Sequence, residues 1–333
     1  MKIYQDNGYL DVDSIMSTND WCVCVYGGRG SGKTYGFLEW LTKNNICFML
    51  LRRTQTQFET VCNANFSPFA TVDQDHGWEH SIVKVGKHMA AVYDGQPEPC
   101  GYMAALSTIA NIRGFDAHRI QVLLYDEFIP ERHERKLAHE GEALLNAYET
   151  INRNRELTGE PPLKLVCLGN SNDLSNPVFI TLGLIERAER MKNVGREMSR
   201  NDGILMIDTY RSPVAERKSG TAMYSNLKDS AFRRMALSSA FERISDSRIS
   251  SRPLQEFRPI SCIGEIAIYR HKSTPEWYVC RHKSGHMVEY GTTEVEIRRF
   301  CRSHGKLLAA YYANNVTFAD LTSETILTAY LNI

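Results

Sequence analysis

Residues Gly27-Gly28-Arg29-Gly30-Ser31-Gly32-Lys33-Thr34 carry the spacing G-x-x-x-x-G-K-[ST]. The chemistry of that pattern is phosphate binding. Glycines let backbone N–H groups turn inward around a β-phosphate, and the helix that follows offers its positive N-terminal end. Lys33 adds a mobile cation for the β- and γ-oxygens, and Thr34 supplies a hydroxyl for Mg²⁺, so ATP with Mg²⁺ is the expected cofactor pair.

A phosphate site needs a second carboxylate to hold the metal, and Val122-Leu123-Leu124-Tyr125-Asp126-Glu127 ends an apolar run in two. Asp126 is read as the Mg²⁺ residue, acting through the ion's water shell. Glu127 decides the class, because a carboxylate there can orient and deprotonate an attacking water, making the protein a hydrolase. Leu165-Val166-Cys167-Leu168 leads into Gly169-Asn170-Ser171-Asn172. A polar amide at a strand's C-terminal edge sits where ligands gather in open α/β sheets, so Asn170 is a candidate γ-phosphate sensor. Asn152-Arg153-Asn154-Arg155-Glu156 closes a helical stretch bearing Leu144, Leu145, Tyr148 and Ile151. An arginine there either serves the helix dipole or, in a ring, faces a neighbouring subunit's nucleotide and stabilises transition-state charge.

These groups must be placed by strands and helices, and the first two hundred residues alternate short apolar runs with helical stretches. That alternation predicts an α/β fold with a mostly parallel sheet. Strands are expected near Trp21–Tyr26, Ile46–Arg52, Gln121–Tyr125 and Leu163–Leu168, and a helix from the glycine-rich loop to about Lys43. Between His80 and Thr108, short alternating segments with Asp94-Gly95 as a turn predict an inserted antiparallel hairpin. From about Met198 to Ser251, helical spacing rich in Arg and Ser predicts a helical linker. The last eighty residues or so predict a small α+β domain, with strands Cys262–Tyr269, Trp277–Arg281 and His286–Tyr290 and helices near Val295–Ala313 and Ser323–Leu331. The domain boundaries are therefore 1–198, 199–250 and 251–333.

Composition sets outer limits. In 333 residues, 43% are hydrophobic and 23% charged, with no apolar run approaching a membrane span. The N-terminus lacks the apolar stretch of a signal peptide, so a cytoplasmic protein with no membrane partner is expected. Nine cysteines, several inside apolar runs, fit reduced core packing. Cys280, His282, His286, Cys301 and His304 lie close in sequence, but no C-x-x-C pair supports a zinc site. Net charge is zero, yet from residue 201 onward Lys and Arg number 18 against 14 acids. Arg211, Arg217, Lys218, Lys228, Arg233, Arg234, Arg243, Arg248, Arg252 and Arg258 give that stretch a basic cast, suited to a phosphate-facing linker or to a solvated helical face.

The order Gly-Gly-Arg-Gly-Ser-Gly-Lys-Thr, Leu-Leu-Arg-Arg-Thr, Tyr-Asp-Glu-Phe, Asn-Arg-Asn-Arg-Glu and Cys-Leu-Gly-Asn-Ser resembles the DNA-packaging ATPase of small phi29-type podophages. The resemblance covers the first two hundred residues and weakens over the linker and C-terminal third. It implies an additional-strand, catalytic-glutamate P-loop ATPase that assembles as a homopentameric ring on the portal of a prohead. Such a ring works in the host cytoplasm and drives double-stranded genomic DNA into the capsid. A structural packaging RNA is a further partner that the family suggests. Carried across, Lys33 and Thr34 match the phosphate loop, Asp126 and Glu127 the Walker B pair, and Arg153 a trans-acting arginine, with Arg155 as the alternative. Arg113 falls where the family places a second basic residue that reaches the next subunit's nucleotide.

Relatives carry a C-terminal domain of the RNase H type that in larger terminases cuts DNA with clustered acids on two metals. Here the corresponding strand, Ser261–Ile268, offers only Glu265, so a vestigial nuclease-like domain without cleavage activity is expected. A cellular-type ring translocase or helicase shares every local motif and is the alternative reading.

Overall fold

The computed structural model describes residues 1–333 except 113, 131–133, 135–136, 138, 171–173, 227–247 and 332–333. The chain falls into two compact units, Met1–Leu182 with Arg187–Glu242, and Gly183–Glu186 with Arg243–Ile333.

In the first unit, continuous apolar runs, most of them closed or opened by one charged residue, form the centre of a sheet, as strands buried on both faces require. They are β1 (Cys22–Tyr26), β2 (Phe48–Arg52), β6 (Val122–Asp126), β7 (Lys164–Gly169) and β9 (Ile204–Asp208), with β5 (Gly101–Ala105) beside β2. The nine strands run in the order β3-β4-β5-β2-β6-β7-β1-β9-β8, where β3 is Ser81–Lys84, β4 Met89–Tyr93 and β8 Met198–Asn201. Neighbours from β5 through β9 are parallel, whereas β3, β4 and β8 pair antiparallel at the edges. β7 lies between β1 and β6 and is the additional strand of the expected class. The helix Lys33–Lys43 lays Phe37, Leu38 and Leu41 on the sheet, packing with Val23, Leu50 and Leu124.

Two strands stand where a helical linker was expected. β9 is completely buried, and its Ile204-Leu205-Met206-Ile207 run pairs with β1 from Cys22↔Ile204 to Tyr26↔Asp208. β8 returns antiparallel beside it. Helical structure begins only at Pro213–Ser219 and Ala222–Asn226, and most of what remains of the expected linker lies outside the described residues.

The second unit holds a five-stranded sheet of order β13-β10-β11-β12-β14: β10 Phe257–Ile263, β11 Ile266–His271, β12 Trp277–Cys280, β13 Val288–Tyr290 and β14 Val316–Phe318. The single strand expected over Cys262–Tyr269 is instead a hairpin. Ile263 pairs with Ile266 across Gly264-Glu265, and Gly264 adopts φ +53. Glu265 therefore occupies a turn, away from the strand interior that the nuclease comparison assumed. The long helix expected over Val295–Ala313 is two, Glu294–Ser303 and Gly305–Tyr312. They break at His304, whose buried ring bonds the Phe300 carbonyl at 2.9 Å and Ser261 Oγ at 2.8 Å.

Candidate nucleotide-binding site

One edge of the first sheet gathers the expected chemistry. Parallel register sets Tyr26 level with Gly169 on one side and Asp208 on the other, while Asp126 is level with Leu168. The phosphate loop that follows Tyr26, Asn170 after Gly169, and Asp126-Glu127 thus emerge together, at the carboxyl ends of the strands where open α/β sheets bind ligands. Asn170 is half-buried there.

The loop needs its glycines. Gly27, Gly30 and Gly32 have φ of +125°, +79° and +79°, conformations that disfavour side chains. A Cβ on Gly27 would lie 2.5 Å from Thr209 Oγ1, and one on Gly32 would lie 2.8 Å from the Tyr9 ring. Gly28 and Ser31 are buried, and Arg29 is exposed at the rim. Lys33 is buried, its ammonium donating to Gly28 O at 2.8 Å, Gly27 O at 3.2 Å and Ser31 Oγ at 3.2 Å. Burial lowers its pKa to about 7, against the opposing pull of Asp126 and Asp208.

Thr34 Oγ1 donates to Asp126 Oδ1 at 3.0 Å. This pair of hard oxygen donors suits Mg²⁺, which keeps several waters and takes its remaining ligands from phosphate oxygens. Glu127 turns out of β6 through φ +58 and is 47% exposed at the side chain, as a carboxylate that must reach a water requires. Its backbone N–H bonds Asp126 Oδ1 at 3.1 Å.

Three features escaped sequence reasoning. Arg52, at the end of β2, places Nη1 3.0 Å from Asp126 Oδ2 and 3.0 Å from Glu127 Oε2, holding both acids at once. Asp208, at the end of β9, is buried beside the loop and accepts from the Tyr210 N–H at 3.1 Å; desolvation raises its carboxyl to about 7. Lys218 donates to Arg29 O at 3.0 Å. The Arg52 signal was present, as a charge closing an apolar strand, and Lys218 stood in the basic helical stretch without its partner being legible, whereas Asp208 ends a strand read as linker.

Arg153 is not at this edge. It caps the far end of the helix Glu140–Asn152 with φ +50, and its Nη2 bonds Phe115 O at 3.1 Å. The neighbouring Asn152 Oδ1 accepts from the Leu163 N–H, just before β7 begins. The six residues of β7 separate that rim from Gly169, roughly 17–20 Å at about 3.3 Å per residue. Arg155 lies on the same rim, bonded to Ala117 O and His118 O at 3.0 Å each. Arg113 lies outside the described residues. In the second unit, the cysteines weighed for zinc have other partners: Cys280 Sγ donates to His282 O and Cys301 Sγ to Tyr330 O, each at 3.3 Å. Among the described residues, no helix is long and apolar enough to cross a membrane.

A phosphate loop on β1, a carboxylate pair on β6 and a strand inserted between them define the additional-strand, catalytic-glutamate class of P-loop folds. Within that class, the chain belongs to the podovirus DNA encapsidation protein (Gp16) family, whose sequence profile matches residues 5–253. It is 27% identical to the DNA packaging protein of Bacillus phage phi29 over 175 residues, 51% of this chain and 48% of that one. The corresponding protein of Bacillus phage B103 is 27% identical over 166 residues, 48% of this chain and 47% of that one. The chain thus spans about half the length of the curated relatives it matches. Its fold is similar to that of the Phi-28 gp11 DNA packaging motor, with a TM-score of 0.66 at 17% identity, covering 98% of this chain and 99% of the other. A chain of the bacteriophage Phi-29 viral genome packaging motor assembly gives a TM-score of 0.62 at 19% identity, covering 97% and 98%. The likeness therefore extends past the first two hundred residues to which the motifs pointed.

Proposed function

We propose that the protein is an ATP-driven motor that moves double-stranded viral DNA into a preformed capsid through its portal vertex. The observation that carries this reading is the meeting of Lys33, Thr34, Asp126 and Glu127 at one sheet edge, in a chain of the DNA encapsidation family. Lys33 and the loop amides bind the β- and γ-phosphates, and Thr34 with Asp126 would hold Mg²⁺, which neutralises phosphate charge when bound. Glu127 accepts a proton from the attacking water, and Asn170 reports whether a γ-phosphate is present.

In this reading Arg52 is committed to Asp126 and Glu127, and the cation for the transferring phosphoryl group comes from outside the copy. A homopentameric ring supplies what is missing: Arg153, assisted by Arg113, enters the adjacent subunit's site. The remaining assignments follow the family: docking on the portal in the host cytoplasm, a structural packaging RNA as a further partner, and a C-terminal unit that contacts nucleic acid without cutting it. The test compares Lys33→Ala with Glu127→Gln for ATP binding and DNA-stimulated hydrolysis. Lys33→Ala loses binding, whereas Glu127→Gln binds ATP and scarcely turns it over. Near-normal turnover by Glu127→Gln would remove the catalytic-glutamate assignment.

A further inference from the structure

Three consecutive carbonyls of the phosphate loop are held by two ammonium groups from distant parts of the chain. Lys33 binds those of Gly27 and Gly28, and Lys218, on the helix Pro213–Ser219, binds that of Arg29 at 3.0 Å. Lys218 lies so close over Gly30 that a Cβ there would meet its Nζ at 1.8 Å. Gly30 thus answers two demands, a φ of +79° and a cation resting against its backbone.

This placement works against the lysines' own electrostatics. Burial, and after it Lys218 and Arg29, depress the charging of Lys33, so the loop brings like charges together. A triphosphate relieves that repulsion. The geometry also has a directional consequence, since the C=O and N–H of a trans peptide point to opposite sides. A carbonyl of Arg29 drawn outward by Lys218 turns the Gly30 N–H the other way, toward the loop interior.

We infer that Lys218 is a positioning residue of the phosphate site, pinning the Arg29–Gly30 peptide so that the Gly30 N–H faces the bound phosphate. The inference rests on the nucleotide-binding reading above and adds to it a residue outside the loop motif. Lys218 lies in the first helix after β9.

The test measures ATP and ADP affinity of the full chain by calorimetry for wild type, Lys218→Met, Lys218→Arg and Lys33→Ala, with thermal melting of each. Lys218→Met keeps the apolar stem and deletes the charge. It weakens nucleotide binding about tenfold, as expected for loss of one charge-assisted hydrogen bond, without moving the melting temperature. Lys218→Arg restores affinity to within about threefold, because a cation can again reach Arg29 O. Unchanged affinity in Lys218→Met, with Lys33→Ala abolishing binding, overturns the inference and leaves the nucleotide reading intact. Equal loss in Lys218→Met and Lys218→Arg also overturns it. Absence of binding in the wild type removes the nucleotide reading itself.

Discussion

Arg53 lies buried against Glu140, its guanidinium forked onto the carboxylate with Nε at 2.9 Å from Oε1 and Nη2 at 3.0 Å from Oε2. Tyr125, immediately before Asp126, donates its hydroxyl to the same carboxylate. Arg53 follows Arg52, which holds Asp126 and Glu127, and Glu140 begins the helix that ends at Arg153. One ion pair therefore joins the strand end that holds Asp126 and Glu127 to the helix that ends at Arg153.

Removing Glu140 strips buried Arg53 of its two-point partner and leaves it the longer contact to half-buried Glu134 at 3.3 Å. Glu140→Ala is expected to destabilise the first unit by about 3–5 kcal/mol, read as a lower urea midpoint. The double change Arg53→Met/Glu140→Leu, which removes both charges while filling the space, recovers most of the loss. If the single and double variants melt alike, the pair does not anchor the helix.

Arg52 predicts a separation of binding from turnover. Its contacts to Asp126 and Glu127 orient carboxylates, and a hydrogen bond to a charged group is worth about 1.5–3 kcal/mol. Arg52→Ala should cut the ATP hydrolysis rate about tenfold or more while ATP affinity changes little. Arg52→Lys should recover only part, because a single ammonium lacks the planar fork. Fluorescent-nucleotide titration alongside steady-state turnover separates the two quantities.

Much of this was legible before any coordinates. The phosphate loop, Asp126-Glu127 and Asn170 each end a continuous apolar run, and such runs must be buried parallel strands once the loop fixes the fold class. What failed did so for local reasons. Gly264-Glu265 is a two-residue turn between equally apolar flanks, a break short enough for β10 and β11 to read as one apolar run. β14 is three residues long, too short for a periodic signal. His304 interrupts a helical pattern that continues in phase, because its ring satisfies the Phe300 carbonyl and caps the break. Arg53–Glu140 and Lys218–Arg29 span 87 and 189 residues, and no spacing rule connects residues that only the fold brings together.

Two buried groups give the site a pH signature. The Lys33 pKa is lowered from 10.5 to about 7, so the unfolded chain binds more protons between those values and stability rises with pH across that window. The Asp208 carboxyl is raised from 3.8 to about 7, so the folded chain binds more protons there and stability falls as pH rises through that range. ATP phosphates restore the charge on Lys33. Binding near pH 8 should therefore take up protons, seen as a dependence of the calorimetric enthalpy on the ionisation heat of the buffer. That dependence should fade toward pH 6, where Lys33 of the free protein already carries its proton.

His304 predicts acid sensitivity in the second unit. Burial lowers its pKa below 6.5, so protonation is easier in the unfolded chain. Its contribution is complete above pH 6.5 and declines as pH falls through the window below that value. His304→Leu should flatten this decline and cost about 1–3 kcal/mol at neutral pH, because Ser261 Oγ then loses its ring partner in a buried site. Chemical denaturation at pH 5 and pH 7.5, followed by the fluorescence of Trp277, compares the two.

The final prediction is that Arg153 completes the active site of an adjacent subunit. Lys33, Asp126 and Glu127 already share one edge of the sheet, yet no described arginine from the Arg153 rim can supply a fixed cation for the transferring phosphoryl group. Arg153 lies across the length of β7 from Gly169, held by Phe115 O in a positive-φ conformation that costs backbone energy. A residue so placed is out of reach of the phosphate loop of its own chain. Removing a trans arginine of this kind costs roughly 10³–10⁵ in rate. The experiment mixes Arg153→Ala chains with Glu127→Gln chains, each nearly inactive alone, and measures DNA-stimulated hydrolysis after mass photometry has established that mixed rings form. In a mixed ring, a Glu127→Gln subunit lends its arginine to a neighbour whose Glu127 is intact, so activity returns at those interfaces. If Arg153 acted in its own subunit, every pocket would keep one defect and hydrolysis would stay flat at all mixing ratios. The same series with Arg155→Ala assigns the role between the two arginines, since only the residue that crosses the interface gives recovery.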